Sequence, residues 1–238
     1  MALLRLEVRY ETGEPELEVV ELSERASVAD LLQAIQTATD DQDIYKPRLK
    51  GQYGVCAGCK DNCCRQHDIT PDYLAVQEIA THLSLSFSEF AVQWLDLSAE
   101  NPFPRWKKHP CPFLKNDLCS IYEQRALICR LYLCTPMGED LEQIRAAVSY
   151  MGEGALRLRL VEEGLAPKAW TYRALADALR ERLREGTFTR EQYETHLEQL
   201  YLMTERNPFL TATSYEQIAL RDCCPDTLWY RLPILRQD

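Results

Sequence analysis

The sequence predicts an α+β protein: a short N-terminal β-hairpin part, then a mainly α-helical part that carries a cysteine cluster. Three observations predict it. Apolar and charged residues alternate with period two over residues 3–10 and again over 16–22, the period of a half-buried strand. Helical periodicity takes over at Val28 and dominates after residue 70. Eight of the ten cysteines fall between Cys56 and Cys134, which sets that stretch apart.

The two alternating runs are separated by Thr12-Gly13-Glu14-Pro15, which is turn chemistry, so they read as a hairpin. Ser27 stands at an N-cap position before VADLLQAIQTA, whose Val28, Leu31, Leu32 and Ile35 share one face. An acidic loop over residues 40–43 leads into the cysteines. Thr70-Pro71-Asp72 opens a helix with Leu74, Ile79 and Leu83 among its apolar residues. Ser86 or Ser88 opens another that carries Phe90, Trp94 and Leu97. Residues 100–120, with Pro102, Pro104, Pro110 and Pro112, predict a loop. Residues 121–133 predict a helix burying Tyr122, Leu127 and Leu131, ended by Pro136-Met137-Gly138. Residues 139–202 predict three or four amphipathic helices whose charges form solvated faces. Gly152 and Gly154 lack the third glycine and the preceding strand of a dinucleotide site, so they predict a helix break. Residues 207–238 are punctuated by proline and give no assignable pattern. The expected organisation is a scaffold at 1–50, a cysteine-cluster domain at 51–138, and a helical region with an irregular tail at 139–238.

With 37 acidic against 27 basic residues the formal charge is −10. Such a chain repels phosphate backbones, which argues against nucleic acid as a partner. The basic stretch Arg105-Trp106-Lys107-Lys108-His109 is no longer than one solvated loop. No apolar run approaches the roughly 18 residues of a spanning helix, so no membrane insertion is expected. The opening MALLRLEVRY carries charges throughout, unlike a secretory h-region, and is not the Arg- and Ser-rich, acid-poor sequence of a transit peptide. A reducing, cytoplasmic setting is therefore expected, and disulfides are rare there.

The cysteines run Cys56-x2-Cys59-x3-Cys63-Cys64, then Cys111, Cys119, Cys129 and Cys134. Thiolates four to a site are what tetrahedral zinc and iron–sulfur clusters need, and a CxxC step turns two side chains onto one ion. Cysteines placed for packing would scatter through the apolar runs. Most of these sit instead beside Gly54, Gly58, Asn62, Pro110, Pro112 or Asn116. A chain of 238 residues can bury a core without disulfide staples. Spacing alone does not divide eight thiols between one site and two. His67 or His109 could replace a thiolate, and Arg125 and Arg130, flanking Cys129, could offset thiolate charge. Cys223-Cys224 could fold back to the cluster or pack as buried thiols. Tyr53, Trp94 and Trp106 read as core. No phosphate loop, dinucleotide fingerprint, Ser-His-Asp set or HExxH motif is present.

The upstream cysteine element, followed by Cys111-Pro112-Phe113-Leu114, Cys119-Ser120-Ile121-Tyr122, Arg125 and Ile128-Cys129-Arg130, resembles the CxxCxxCC family of zinc- or iron-chelating domains. The likeness covers about residues 54–134 and departs from the family at Ala126, where proline is usual. It implies metal binding by Cys56, Cys59, Cys63, Cys64, Cys111, Cys119, Cys129 and Cys134. Flagellin lysine methylation is one activity associated with the broader family. At the N-terminus, hairpin, helix and RLKGQYGVCAGC are similar to the opening of a β-grasp, ferredoxin-like domain. Gly51 stands where that loop has its first ligand, so residues 1–50 are expected to be a scaffold and not a [2Fe–2S] site. The reading is an iron–sulfur protein with a [4Fe–4S] cluster. It would act in electron transfer, redox sensing or cluster-dependent assembly, together with a protein partner. The alternatives are a zinc-stabilised interaction module and a protein-modifying methyltransferase.

Overall fold

Alternation at the N-terminus does make a hairpin. In the computed structural model, which describes residues 2–10, 16–40, 63–65, 67–98, 103–131 and 137–235, β1 (Leu4–Arg9) and β2 (Glu16–Ser23) pair antiparallel. Leu4 lies opposite Leu22 and Arg9 opposite Glu16, with a register shift between Arg5 and Leu6. Leu4, Leu17, Val19 and Leu22 turn into the core they share with α1 (Val28–Asp40), which lies against β1 and buries Val28, Leu31, Leu32, Ile35 and Ala38. Spacing of three and four residues puts these five on one helix face. The start of α1 is a reciprocal cap: the Asp30 N–H donates to Ser27 Oγ, and the Ser27 N–H donates to the Asp30 carboxylate at 2.8 Å.

The third strand of this sheet, β7 (Ile234–Leu235), comes from the opposite end of the chain and runs parallel to β2, giving the order β1-β2-β7. Between these ends lie α2 (Tyr73–His82) and α3 (Phe87–Trp94), capped by Asp72 and by a Ser86–Glu89 capping box. Two short ribbons follow, β3 (Leu95–Asp96) with β4 (Arg105–Trp106), and β5 (Leu114–Lys115) with β6 (Leu118–Cys119). After them come α4 (Leu127–Leu131), α5 (Glu139–Glu162), α6 (Tyr172–Arg184), α7 (Arg190–Glu205), α8 (Leu220–Cys223) and α9 (Asp226–Trp229). Among the described residues no helix is long and apolar enough to cross a membrane.

One apolar core runs from Leu4 through Ile79, Leu127 and Leu156 to Leu232. At its centre α5 touches α2, α4, α7 and α8. Gly152 and Gly154 do not break this helix, contrary to expectation. They are points of close approach: a Cβ on Gly152 would lie 2.7 Å from Asp72 Cβ, and one on Gly154 would lie 3.1 Å from the Met203 carbonyl oxygen. Tertiary packing overrides the weak helix propensity of glycine. The helix expected over residues 121–133 is also shorter than its pattern. A 3-10 turn at Tyr122–Gln124 gives way to extended backbone at Arg125 (ψ 148°), and α4 is a separate single turn. The C-terminal tail, unassigned from its pattern, is folded. Phe209, Tyr215, Ile218, Leu220, Leu228 and Trp229 are all buried.

Candidate metal centre

Of the eight predicted ligands, Cys56, Cys59 and Cys134 lie outside the described residues. Cys63 opens the 3-10 turn Cys63–Arg65, and its side chain also lies outside them. The other four are placed by three separate segments: Cys64 by that turn, Cys111 and Cys119 by the two flanks of the β5–β6 ribbon, and Cys129 by α4.

A backbone hydrogen bond and an ion pair lock the first two segments together. The Cys111 N–H donates to the Cys64 carbonyl at 2.9 Å, and the Arg65 guanidinium pairs with Asp117 at the ribbon's tip. The tip is a two-residue turn with Asn116 and Asp117 at φ 51° and 63°, which short polar residues tolerate best. Cys119 pairs across the ribbon with Leu114. The Ser120 N–H closes the loop by donating to the Phe113 carbonyl at 2.8 Å. Phe113 itself anchors it. Its ring stacks on Trp94 at 5.0 Å and meets Trp106 edge-on at 5.3 Å, and Phe90 lies behind Trp106 at 6.1 Å. Two of the aromatics read as core, Trp94 and Trp106, are thus the wall against which the Cys111–Cys119 loop is fixed.

Cys129 is set by the start of α4. Its N–H donates to the Ala126 carbonyl at 2.9 Å. Two residues upstream, the Leu127 N–H donates to the buried Asp72 carboxylate at 2.7 Å. The same carboxylate accepts from the Ala75 N–H at 3.0 Å and from the Tyr215 hydroxyl at 2.9 Å. Asp72 therefore caps its own helix and, 55 residues away, the helix of Cys129. Burial pushes its carboxyl above the ordinary range, against the pull of these three donors. Sequence reasoning found the first cap in Thr70-Pro71-Asp72. The second had no local signal.

At the centre of the cluster the Cys111 thiol hydrogen-bonds the Cys64 side chain, and Cys119 and Cys129 are near enough for their charge to act on it. The bond with Cys64 is the largest influence and holds Cys111 below the usual thiol range. The Phe113 N–H helps, while burial and the two neighbouring cysteines oppose. All four thiols are half-buried. Among the described residues, however, no three His, Cys, Asp or Glu side chains are drawn close enough to form a finished ligand set. Soft, partly buried sulfur donors with one thiol biased toward the thiolate suit zinc or iron and not a hard cation such as magnesium. In that respect the residues fit the metal that the sequence implies.

The secondary candidates fall elsewhere. His67 is exposed, and His109, 49% exposed, stands 3.7 Å from Asp68. Arg125 lies 3.7 Å over the Tyr122 ring and donates to the Gln36 side chain at 2.7 Å. Arg130 lies 5.2 Å from the Tyr215 ring centre. Cys223 and Cys224 are buried in the core at α8. Burial lifts both thiols, Cys224 to about 12, as expected of packed and protonated cysteines.

Residues 55–149 match the family model described as "CxxCxxCC: Putative zinc- or iron-chelating domain". The matched stretch takes in eight of the ten cysteines. No curated protein and no solved structure matches the chain.

Proposed function

We propose that this chain, whose residues 55–149 match the zinc- or iron-chelating family, holds an iron–sulfur cluster, [4Fe–4S], and acts as a redox-responsive protein together with a protein partner. The observation that carries the reading is the gathering of Cys64, Cys111, Cys119 and Cys129 from three segments distant in sequence, with Cys111 biased toward its thiolate. The proposed ligands come from these four together with Cys56, Cys59, Cys63 and Cys134. An all-sulfur donor set favours iron–sulfur chemistry, and the sequence has one CxxC step where zinc-ribbon sites usually show two. Such a cluster supplies one-electron chemistry.

The chain's own residues do the rest. The aromatic wall of Trp94, Trp106 and Phe113 holds the loop of Cys111 and Cys119 against water. The Phe113 N–H points to the Cys111 sulfur, and hydrogen bonds to ligand sulfurs are one of the protein's levers on reduction potential. A net charge of −10 suits a basic protein partner.

Anaerobic purification followed by iron, zinc and acid-labile sulfide analysis, with the visible spectrum, tests this. Iron and sulfide in equal amounts with a reducible band near ~400 nm are expected. Colourless protein with stoichiometric zinc and no reducible centre would replace the proposal with a zinc-stabilised interaction module.

A further inference from the structure

A cleft of about 680 Å³ opens between α5, α6 and α7, floored by residues at α8 and α9. Its size lies within the ~300–1,000 Å³ typical of small-molecule sites. Its lining departs from the rest of the molecule. Although the chain carries 37 acidic residues, no Asp or Glu lines the cleft. The walls are apolar, with Met151, Leu179, Leu200, Met203 and Leu228 among them, and their ionisable side chains include Arg157, Arg182 and His196.

Arg157 is the unusual member. It projects from α5 with only 6% exposure, and its Nε and Nη2 have no hydrogen-bond partner among the described residues. Its guanidinium sits between two rings, 5.1 Å from that of Phe103 and 5.9 Å from that of Trp170. Ring faces favour the cation but accept no strong hydrogen bond, and a buried guanidinium edge left unpaired costs free energy. The acidic neighbour one helical turn earlier, Glu153, makes no hydrogen bond to Nε or Nη2. Burial, reinforced by the charge of Asp72, pushes the Glu153 carboxyl up to about 8 despite the opposing pull of Arg157. Nε and Nη2 form one edge of the guanidinium, the edge on which a carboxylate makes two parallel bonds.

We propose that this cleft binds an amphipathic carboxylate, its head paired to the guanidinium of Arg157 and its alkyl chain lying among Met151, Leu179, Leu200, Met203 and Leu228. The apolar walls give the tail its affinity, and Arg157 sets the requirement for an anionic head. The site is separate from the cysteine centre and does not depend on which metal that centre holds.

The test uses the full chain as purified, with dodecanoate, dodecanol and acetate as probes in titration calorimetry. Dodecanoate should bind saturably at one per chain, dodecanol at least tenfold more weakly, and acetate not measurably. In Arg157→Gln the preference for acid over alcohol should disappear, with dodecanol affinity kept. In Leu179→Trp, which fills the cleft without touching Arg157's charge, both should be lost while the thermal midpoint is unchanged. Should Arg157→Gln fail to fold, Arg157→Lys, which keeps the charge and loses the fork, should lower the acid preference several-fold. The proposal is overturned if dodecanoate shows no saturable binding, if it binds no better than dodecanol, or if Leu179→Trp binds it as the parent does.

Discussion

The N–H of Leu127 donates to the buried carboxylate of Asp72 at 2.7 Å, so one side chain fixes the starts of two helices, its own and the one that presents Cys129. The cysteine cluster therefore depends on a residue that is not a cysteine. In Asp72→Asn the amide oxygen can still accept, but the amide NH2 faces the donor or donors that the other carboxylate oxygen served, leaving a buried backbone N–H unpaired. A loss of about 1–3 kcal/mol of stability is expected, seen as a lower denaturant midpoint, together with reduced metal content. Unchanged stability would show that the junction is not structural.

Tyr215→Phe removes only the third donor to the same carboxylate. Its cost should be about 1 kcal/mol, and metal content should be retained, since α4 keeps its cap. Comparing the two variants separates a general weakening of the core from a specific displacement of Cys129.

Among the cysteines, Cys111→Ser, Cys119→Ser and Cys129→Ser should each lower metal content and thermal stability together, because site and fold are linked. Cys223→Ala should lower stability through the small cavity it leaves, with metal content intact. Full metal retention in Cys119→Ser, or metal loss in Cys223→Ala, would contradict the assignment.

Glycine at position 152 reports on packing. In an exposed helix, replacing glycine by alanine stabilises by about 1 kcal/mol. Here the added methyl would stand 2.7 Å from Asp72 Cβ and 3.3 Å from Leu127 Cδ2. Gly152→Ala should therefore destabilise, by about 1–3 kcal/mol, as overpacking does. A stabilised variant in urea denaturation would show that α5 and α2 can separate freely.

The raised Glu153 carboxyl gives a pH signature. With an ordinary value of 4.5 in the unfolded chain and about 8 in the folded one, the folded state holds the extra proton between these limits. Stability contributed by this group thus falls as pH rises through that window. Glu153→Gln should match the parent near the acid end and be more stable above about pH 8, by up to a few kcal/mol. Parallel stability–pH curves for the two proteins would refute a raised Glu153 carboxyl.

The elements with local signals were legible in the sequence. Alternation set β1 and β2, the three- and four-residue spacing of Val28 to Ile35 set α1, and Ser27, Asp72 and Ser86 stand at helix starts because their short oxygens satisfy free backbone N–H groups. The cysteine spacing and its CPFL, CSIY and ICR elements marked about residues 54–134, overlapping the family match at 55–149, since ligand spacing is itself a local property. What tertiary structure alone decided involves partners far apart in the chain. Gly152 and Gly154 look like a helix break by propensity, yet they sit inside α5 because Asp72 and Met203 need the space a Cβ would take. The tail carries no periodicity, because β7 is held by β2 and Tyr215 by Asp72, and not by neighbours in sequence. The aromatic wall behind Cys111 and the unpaired edge of Arg157 are likewise invisible in composition or period. Local patterns encode backbone preference; burial, and which distant group answers a buried charge or hydrogen bond, is set only when the chain closes on itself.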